Sequence, residues 1–215
     1  MNVNDVMLRN LTPGIIFPEC KGKRIYMRIP QISDYDQWAE LRNESRNFLE
    51  PWEPKWSSSS LTRIDFRRRL RRYSREVRED KGLALFIFNI RDDKLLGGIS
   101  LSNLRRGVTQ SCSLGYWMGE KYSRNGYMTE AVSLIIDYVF EVLNLHRLEA
   151  ACVPENIRSL GVLKKTGFTQ EGYARKYIKI NGSWKDHLLF SILSTDRRPP
   201  FSKPEVTDLL TAISK

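Results

Sequence analysis

The chain has 215 residues, of which 41% are hydrophobic and 11% are aromatic. This composition excludes a wholly disordered chain, and the length predicts one globular domain with short appendages. The net charge of +10 predicts a surface that attracts anions, namely nucleic acid, phosphate-bearing cofactors or acidic partners. Charge alone does not choose among these partners.

The sequence argues against a membrane protein and against a metal protein. No apolar run approaches the ~20 residues that a membrane-spanning helix needs. Residues 1–25 lack the apolar core of a secretory signal, so we expect none. Three cysteines at no metal-binding spacing and only two histidines predict no metal site. We therefore expect a cytoplasmic protein in a reducing environment, without membrane contact.

The N-terminal part of the chain predicts an arm, a strand, a helix and a loop. Residues 1–23 show no periodicity and are interpreted as an arm. Alternation over 24–29 predicts a strand, and helical spacing after it predicts a helix that Ser33 and Asp36 would cap as a capping box. Two prolines then predict an aromatic, acidic loop over 49–56.

A strongly basic helix is predicted over 62–81, which carries nine Lys or Arg against four acids. Phe66, Leu70, Tyr73 and Val77 recur at helical spacing and predict one apolar stripe. The cationic remainder is either the solvated face of a docked helix or an electrostatic site for RNA or an acidic partner. The sequence leaves both interpretations open.

The rest of the chain predicts an α/β fold. Short connections join the next three strands, and two helices alternate with the later strands. This order predicts a mixed, mostly antiparallel central sheet flanked by helices, in a single domain over 24–195 with a tail over 196–215. The predicted strands cover 83–90, 95–103, 113–119, 147–153, 173–180 and 187–194, and the predicted helices cover 126–143 and 156–166.

The segment 114–131 carries the first functional signal, because a strand ends in polar, glycine-containing sequence and a helix starts at once. Free N–H groups and the dipole at such a helix start can bind an anion. Arg124 adds a positive charge, and Gly126 allows close approach of the backbone. A pyrophosphate fits this pattern, and so does an ordinary tight turn. Neither a Walker A loop nor a GxGxxG motif is present, which disfavours nucleotide hydrolysis and a Rossmann cofactor.

This segment resembles the acetyl-CoA-binding motif of the GNAT N-acetyltransferases, Gln/Arg-x-x-Gly-x-Gly/Ala. The pattern falls on 123–128, where only Gly126 of the signature positions is retained and Ser123 replaces Gln/Arg. The blocks NIRS at 156–159 and GFTQEG at 167–172 are similar to the family's closing segment.

A narrower resemblance, to the ribosomal-protein alanine N-acetyltransferases of the RimJ/RimL type, rests on five further blocks and covers residues 24–194. These blocks are FLEPWEP, SNLRRG, LGYWMG, HRLEA and EGYARKYIKINGSWKDHLL.

The resemblance implies the GNAT fold, acetyl-CoA as the co-substrate and an N-acetyltransferase activity. In that fold a bulge parts the strand at 113–119 from the strand at 147–153, and pantetheine lies in the gap. The residues that the resemblance assigns to acetyl-CoA are Trp117, Met118, Gly119, Arg124, Asn125, Gly126, Tyr127, Met128, Thr129, Asn156 and Ser159. Without it, Asn156 is explained as a helix N-cap and Ser159 as a helical serine bonded to its own backbone.

Four residues carry expectations about catalysis. By the resemblance, Ser159 hydrogen-bonds the leaving thiolate, and an N–H of Met118 or Gly119 stabilises the thioester oxygen. Glu149 alternates with apolar neighbours and can face the cleft, so it is our candidate base, with an ion pair as the alternative. Some relatives carry a glutamate where this chain has Ile178. Both histidines are interpreted as structural.

The predicted loop over 49–56 is expected to line the acceptor groove, as in the RimJ/RimL type. Its Glu50 and Glu53 would attract an ammonium group, or the loop only plugs the core. Its Trp52 and Trp56 would form flat apolar walls. In the SNLRRG block, Asn103 and Arg106 either position the acceptor or shape a turn.

The sequence thus predicts an enzyme that transfers acetyl from acetyl-CoA to an N-terminal α-amine, with alanine of a ribosomal protein as the expected acceptor. One alternative is a GNAT enzyme that acetylates a small amine such as a polyamine or a drug. Another is a weakly catalytic acetyl-CoA-sensing factor that contacts RNA or the ribosome through the basic helix. The oligomeric state, monomer or homodimer, stays open.

Overall fold

The computed structural model describes residues 20–197, so the predicted arm up to residue 19 and the predicted tail from residue 198 lie outside the described residues. The strands are β1 (Cys20–Lys21), β2 (Ile25–Arg28), β3 (Leu83–Asn89), β4 (Leu95–Arg105), β5 (Ser111–Met118), β6 (Arg147–Cys152), β7 (Thr169–Ile180) and β8 (Ser183–Leu193). The α-helices are α1 (Tyr35–Glu44), α2 (Arg46–Leu49), α3 (Arg63–Arg78), α4 (Tyr127–Asp137) and α5 (Ile157–Lys165).

The strands of the described region form one sheet in the order β1-β2-β3-β4-β5-β6-β8-β7. Neighbouring strands are antiparallel except β5 and β6, which run parallel and are connected through α4. A parallel pair needs a crossover of this kind. The predicted α/β class and the mixed, mostly antiparallel sheet are confirmed.

Two hydrophobic cores lie on opposite faces of the sheet. In the first, Ile135 of α4 packs with Leu148 of β6. In the second, Trp38 of α1 and Phe66 of α3 pack against Phe86 of β3, with the Trp38 and Phe66 rings 4.8 Å apart. The sheet is therefore the middle layer of three.

Strand β5 contributes to both cores. Leu114 and Met118 are buried in the first core and Tyr116 packs against it, whereas Trp117 packs against the second. This is the alternation of a β-strand, whose successive side chains point to opposite faces. Groups on either face of the sheet can therefore be reached from this one strand.

The basic helix is confirmed as α3. It begins after Thr62, whose Oγ1 accepts a hydrogen bond from the Asp65 N–H (3.3 Å). Phe66, Leu70 and Val77 are buried, as the apolar stripe predicts. The cationic residues occupy the remaining, solvent-facing part of the helix.

Several boundaries differ from the prediction. β1 pairs with β2 and Cys20 is buried, so the sheet starts before residue 24. The helix predicted to reach residue 143 passes from α4 into a π-helical turn at Tyr138–Val142. The last hairpin is longer than predicted, and its turn at Asn181 and Gly182 has the positive φ angles (42° and 82°) of the expected tight turn.

The predicted capping box at Ser33 is wrong. The Asp34 carboxylate accepts hydrogen bonds from the Gln31 N–H (2.7 Å) and from Arg28 (2.7 and 2.8 Å), and it closes the turn before α1. Asp36 instead accepts a hydrogen bond from Arg63 at 2.7 Å. The local pattern identified the turn, but the half-buried Arg28 beside it bonds Asp34, and Asp34 is the carboxylate that closes the turn.

Candidate active site

A gap between β5 and β6 forms the centre of the site. The two strands pair only from Ser111 opposite Arg147 to Leu114 opposite Ala150. Beyond that point β5 stays paired with β4 up to Met118, and β6 stays paired with β8. The strands therefore diverge because each follows its other neighbour.

The bulge that was expected to cause this divergence is absent from the diverging part of β5. Its register with β4 is continuous from Leu114 to Met118, and the register shift lies at the far end, between Ser102 and Arg105. The gap therefore opens between β5 and β6 while β5 stays regular against β4. Within residues 20–197 it leaves one row of β5 peptide groups without a strand partner.

The ladder with β4 decides which peptide groups face the gap. The Gly119 N–H donates to the Leu96 carbonyl (2.9 Å). Bonded pairs alternate along an antiparallel ladder, so the peptide groups of Trp117 also face β4 while those of Tyr116 and Met118 face the gap. The expectation that the Gly119 N–H binds the thioester oxygen or pantetheine is therefore wrong, and the same holds for the Trp117 peptide groups. Within residues 20–197 the ladder leaves the Met118 N–H without a strand partner.

The start of α4 forms a second binding element beside the gap. Arg124 and Gly126 have left-handed φ angles of 64° and 79°. The first bond of the helix runs from the Glu130 N–H to the Gly126 carbonyl (3.1 Å), so within residues 20–197 the N–H groups of Tyr127, Met128 and Thr129 have no acceptor in the preceding turn. Unpaired N–H groups at a helix start bind phosphate-like anions.

Arg24 holds this helix start in place, a role that the sequence analysis missed. Its Nη1 donates to the Asn125 carbonyl (2.9 Å) and its Nε donates to Glu130 (2.9 Å). The guanidinium also lies 4.8 Å from the centre of the Tyr127 ring. A single arginine at the start of β2 carries no local signal of a contact made about a hundred residues later.

The residues predicted from the closing segment meet β5 across the gap. Asn156 caps α5, since its Oδ1 accepts the Ser159 N–H at 3.1 Å. The Ser159 Oγ lies 2.8 Å from the Tyr116 hydroxyl, so its partner is not its own backbone. Burial raises the pKa of Tyr116, which keeps the hydroxyl protonated. Burial also raises the pKa of Cys152, whose thiol donates to the Val153 carbonyl (3.4 Å).

The carboxylate of Glu53 is already bound inside the protein. It accepts hydrogen bonds from Arg42, with Nη1 at 3.2 Å, and from Trp56 Nε1 at 2.9 Å. The Arg42 guanidinium is buried between the rings of Trp56 (4.5 Å) and Trp117 (4.9 Å). The expectation that Glu53 attracts an ammonium group is therefore wrong, because its charge is neutralised.

The other expected acceptor residues divide between the cleft and the surface. Trp52 and Asn103 line the cleft, and Asn103 Nδ2 donates to Ser113 Oγ (3.3 Å). Glu50 does not line it and instead accepts a hydrogen bond from Arg46 (2.8 Å).

Arg106 also lies away from the cleft. Its side chain donates to the Leu143 carbonyl (2.7 Å) and to Asp80 (2.9 Å), and it joins two loops. Of the two interpretations of Arg106, the structure supports the one in which it shapes a turn.

Glu149 lines the cleft as an ion pair. It accepts a hydrogen bond from Arg147 Nε (2.8 Å), and Arg147 also donates to Glu171 (3.1 Å from Nη1). This contact is the alternative that the sequence left open for Glu149. Arg147 thus holds both carboxylates by hydrogen bonds.

We expect the Arg147–Glu171 pair to make stability depend on pH at the acid end. The Arg147 guanidinium lowers the pKa of Glu171 to about 2, below the ~4.3 of an unfolded glutamate. Its stabilisation is therefore complete above pH ~4.3 and is lost as the pH falls toward 2. Both side chains are partly exposed, so Arg147→Met lowers the free energy of unfolding by less than ~1 kcal/mol at pH ~6.

Urea unfolding of wild type and Arg147→Met at pH ~6, ~4 and ~3 measures this difference. We expect the difference in the free energy of unfolding between the two proteins to narrow as the pH falls. A difference of constant size at all three pH values would contradict the assignment.

A single cleft of about 1280 Å³ connects these elements. It reaches both the helix start and the acceptor side through the gap. Neither Gly119 nor Asn125 lines it. The predicted site residues that line it are Trp52, Glu53, Asn103, Trp117, Met118, Arg124, Gly126, Tyr127, Met128, Thr129, Glu149, Asn156 and Ser159.

Sequence reasoning also missed other residues on the cleft, among them Tyr116, Tyr177 and His187. The strand alternation could have indicated Tyr116, because it shares a face with Leu114 and Met118. The position of His187 on the cleft can be found only from the register of the last hairpin. Within residues 20–197 no group of His, Cys, Asp or Glu side chains could hold a metal ion, and no helix there is long and apolar enough to cross a membrane.

A sequence profile described as "Acetyltransferase (GNAT) domain" matches residues 24–169. The chain belongs to the GNAT family of acetyltransferases. Activity and co-substrate follow from the family: this GNAT protein is an N-acetyltransferase that uses acetyl-CoA. The gap and the helix start fit that co-substrate, because they offer unpaired peptide groups for its amides and N–H groups for its diphosphate.

Similar proteins agree with this assignment. The GNAT chain is 39% identical over 176 residues to a probable N-acetyltransferase, YjcK, of Bacillus subtilis, which covers 82% of the chain and 97% of that protein. It is 33% identical over 178 residues to the ribosomal protein uS5-alanine N-acetyltransferase of Escherichia coli, with 82% and 91% covered.

Solved structures show the same fold. The ribosomal-protein-S5-alanine acetyltransferase of Vibrio fischeri superimposes with a TM-score of 0.76 at 33% identity, with 83% of this chain and 98% of that chain covered. Mycobacterium smegmatis RimJ, solved in complex with CoA-disulfide, superimposes with a TM-score of 0.75 at 29% identity, with 79% and 81% covered.

Proposed function

We propose that this GNAT enzyme acetylates the N-terminal α-amine of a protein, with alanine of a ribosomal protein as the acceptor. The observation that carries the proposal is the neutralisation of the acceptor side of the cleft. Glu53 is bound by Arg42 and Trp56, and Glu149 and Glu171 share Arg147.

Three of the four carboxylates that line the cleft within the described residues are thus bound by arginines, which suits a weakly basic amine. An α-amine has a pKa of about 7.7–8.0 and is partly neutral at physiological pH, whereas a lysine or polyamine amine near 10.4 is almost wholly charged. A polyamine site would need unpaired carboxylates to hold several ammonium groups. The E. coli and V. fischeri relatives are ribosomal-protein alanine acetyltransferases, which supports the same acceptor. Ribosomal proteins are made in the cytoplasm, so the proposal places the enzyme there.

The catalytic groups follow from the geometry of the gap. We assign the diphosphate of acetyl-CoA to the N–H groups at the start of α4 and its pantetheine arm to the unpaired peptide groups of Tyr116 and Met118. The Met118 N–H faces the gap and can donate to the thioester oxygen as negative charge develops there. On the α5 side, Ser159 and Tyr116 can donate hydrogen bonds to the leaving thiolate.

The acceptor proposal is tested in cells that lack the gene. Intact-mass spectrometry of their ribosomal proteins should show one protein, with alanine at its N-terminus, that has lost an acetyl group. Restoring the gene should restore the acetyl group. An unchanged acetylation state at every ribosomal N-terminus would contradict the proposal, and turnover of a polyamine without turnover of alanyl peptides would favour the small-amine alternative.

A row of unpaired arginines on α3 supports contact with RNA as a second part of the proposal. Within the described residues, no salt bridge or hydrogen bond engages the side chains of Arg67, Arg71, Arg75 and Arg78. Their spacing of 4, 4 and 3 residues places them along one face of the helix. Such a row is suited to successive phosphates of an RNA backbone.

Charge reversal distinguishes the row from its neighbours. Arg71→Glu with Arg75→Glu should weaken RNA binding and reduce the slope of log K against log salt by about one per lost phosphate contact. The control is Arg68→Glu with Arg72→Glu, because those arginines already pair with Asp65 and Glu76. If the Arg71→Glu, Arg75→Glu variant binds RNA as tightly as wild type, the proposed RNA contact is wrong and the cationic side of α3 is only a solvated face.

A further inference from the structure

The attacking amine nitrogen must lose one proton during acetyl transfer, and the carboxylates on the acceptor side are poorly placed to take it. Glu53, Glu149 and Glu171 each accept hydrogen bonds from an arginine. Taking a proton from the amine would cost each of these carboxylates its contact with an arginine. Glu155 also lines the cleft and is exposed.

His187 lies on the cleft beside the gap. Leu189 is paired with Ala151 and Leu188 with Cys152, so His187 comes just beyond the end of β6, beside the gap. Side chains two residues apart on a strand share a face, which places His187 with Leu189 on the face opposite Phe190. That face is the acceptor side, away from Ser159. His187 is only 2% exposed, yet it lines the cleft.

The hydrogen bonding of the His187 ring fixes its tautomer. Nδ1 lies 3.0 Å from the Lys185 carbonyl oxygen. A carbonyl can only accept, so Nδ1 carries the proton and the neutral ring has its lone pair on Nε2. Nε2 has no hydrogen-bond partner among the described residues. No side-chain nitrogen or oxygen of those residues is fully buried without a partner, so solvent reaches Nε2. The Tyr177 ring, 5.9 Å away edge to face, packs against the imidazole and also lines the cleft.

We propose that His187 is the general base of the acetyl transfer, an inference that rests on the proposed amine acceptor. The amine nitrogen attacks the thioester carbon and a C–N bond forms. His187 Nε2 takes one proton from that nitrogen. The C–S bond breaks with its electron pair on sulfur, and the thiolate takes one proton from water to give the CoA thiol. His187 returns its proton to water, so one proton is taken up and one released.

The first test is His187→Asn, whose side-chain N–H can still donate to the Lys185 carbonyl while the Nε2 lone pair is gone. We expect kcat/KM for the amine to fall by about 100- to 10,000-fold, with the melting temperature and the KM for acetyl-CoA close to wild type. The matched controls are Glu155→Gln, which removes the exposed carboxylate of the cleft, and His146→Gln, whose histidine bonds Ser194 outside the cleft. Both should retain wild-type rates.

Rescue separates a base from a structural side chain. In His187→Gly, added imidazoles should restore turnover, and the restored rate should rise with the pKa of the imidazole, as general-base catalysis requires. A structural role would give a rescue that depends on size alone. That result, or wild-type activity in His187→Asn, or a large loss in Glu155→Gln, would overturn the assignment.

The assay uses an alanyl peptide and spermidine as parallel acceptors with wild type first. If only spermidine is acetylated, the proposed acceptor is wrong, and the His187 variants are then compared on spermidine. Failure of the acceptor proposal and failure of the base proposal therefore give different results.

Discussion

Acetyl-CoA should stabilise the wild-type protein against heat but leave Gly126→Glu unaffected. A ligand present at ~100 times its Kd adds about 2.7 kcal/mol to the stability of the native state. For a chain of this size that is a rise in melting temperature of about 5–10 °C. The substitution removes this rise for two reasons. Gly126 has a φ of +79°, which is strained for any other residue, and a carboxylate there would face the proposed diphosphate site.

The matched control is Gly107→Glu, which adds the same charge at an open position where a side chain would meet nothing within 4 Å. It should keep the full acetyl-CoA shift. The melting temperature without ligand separates damage to the fold from loss of the site. A wild-type shift in Gly126→Glu would mean that the diphosphate does not bind at the start of α4.

Removing Arg42 should destabilise the protein by about 3 kcal/mol, because the partly buried Glu53 carboxylate loses its buried arginine partner. Arg42 is 8% exposed and its guanidinium packs between Trp56 and Trp117 while it bonds Glu53. In Arg42→Ala both the packing between the two rings and the neutralisation of Glu53 are lost. Urea unfolding at neutral pH measures the change.

Arg46→Ala is the control for Arg42→Ala. Arg46 also lies over the Trp56 ring, at 5.6 Å, and pairs with Glu50, but its side chain is 49% exposed. Its removal should cost less than about 1 kcal/mol. Similar losses in the two variants would contradict the account in which Arg42 ties the acceptor loop to the sheet.

The sequence was informative where a local pattern determines structure. The apolar stripe of α3, the glycine at the start of α4 and the Asn-Gly turn each depend on residues a few positions apart. The cap by Asn156 is equally local, since its partner is Ser159. The resemblance added the gap between β5 and β6, which no periodicity indicates.

The sequence failed where a contact joins distant segments. Glu53 looked like a site for an ammonium group, and only the fold shows that Arg42 occupies its carboxylate. Gly119 was the wrong donor because its N–H is already bonded to the Leu96 carbonyl. Only the pairing of the two strands shows this. His187 was interpreted as structural, and its position beside the end of β6 becomes visible only in the register of β8.

One competition assay tests the central claim most directly. Wild-type enzyme is given isotopically labelled acetyl-CoA, an alanyl peptide with an internal lysine, and spermidine at equal concentration in one tube. Fragmentation mass spectrometry then locates the label. We predict label on the α-amine of the peptide, ahead of the lysine side chain and of spermidine. Label on spermidine or on lysine, with an unlabelled peptide N-terminus, would contradict the proposed function.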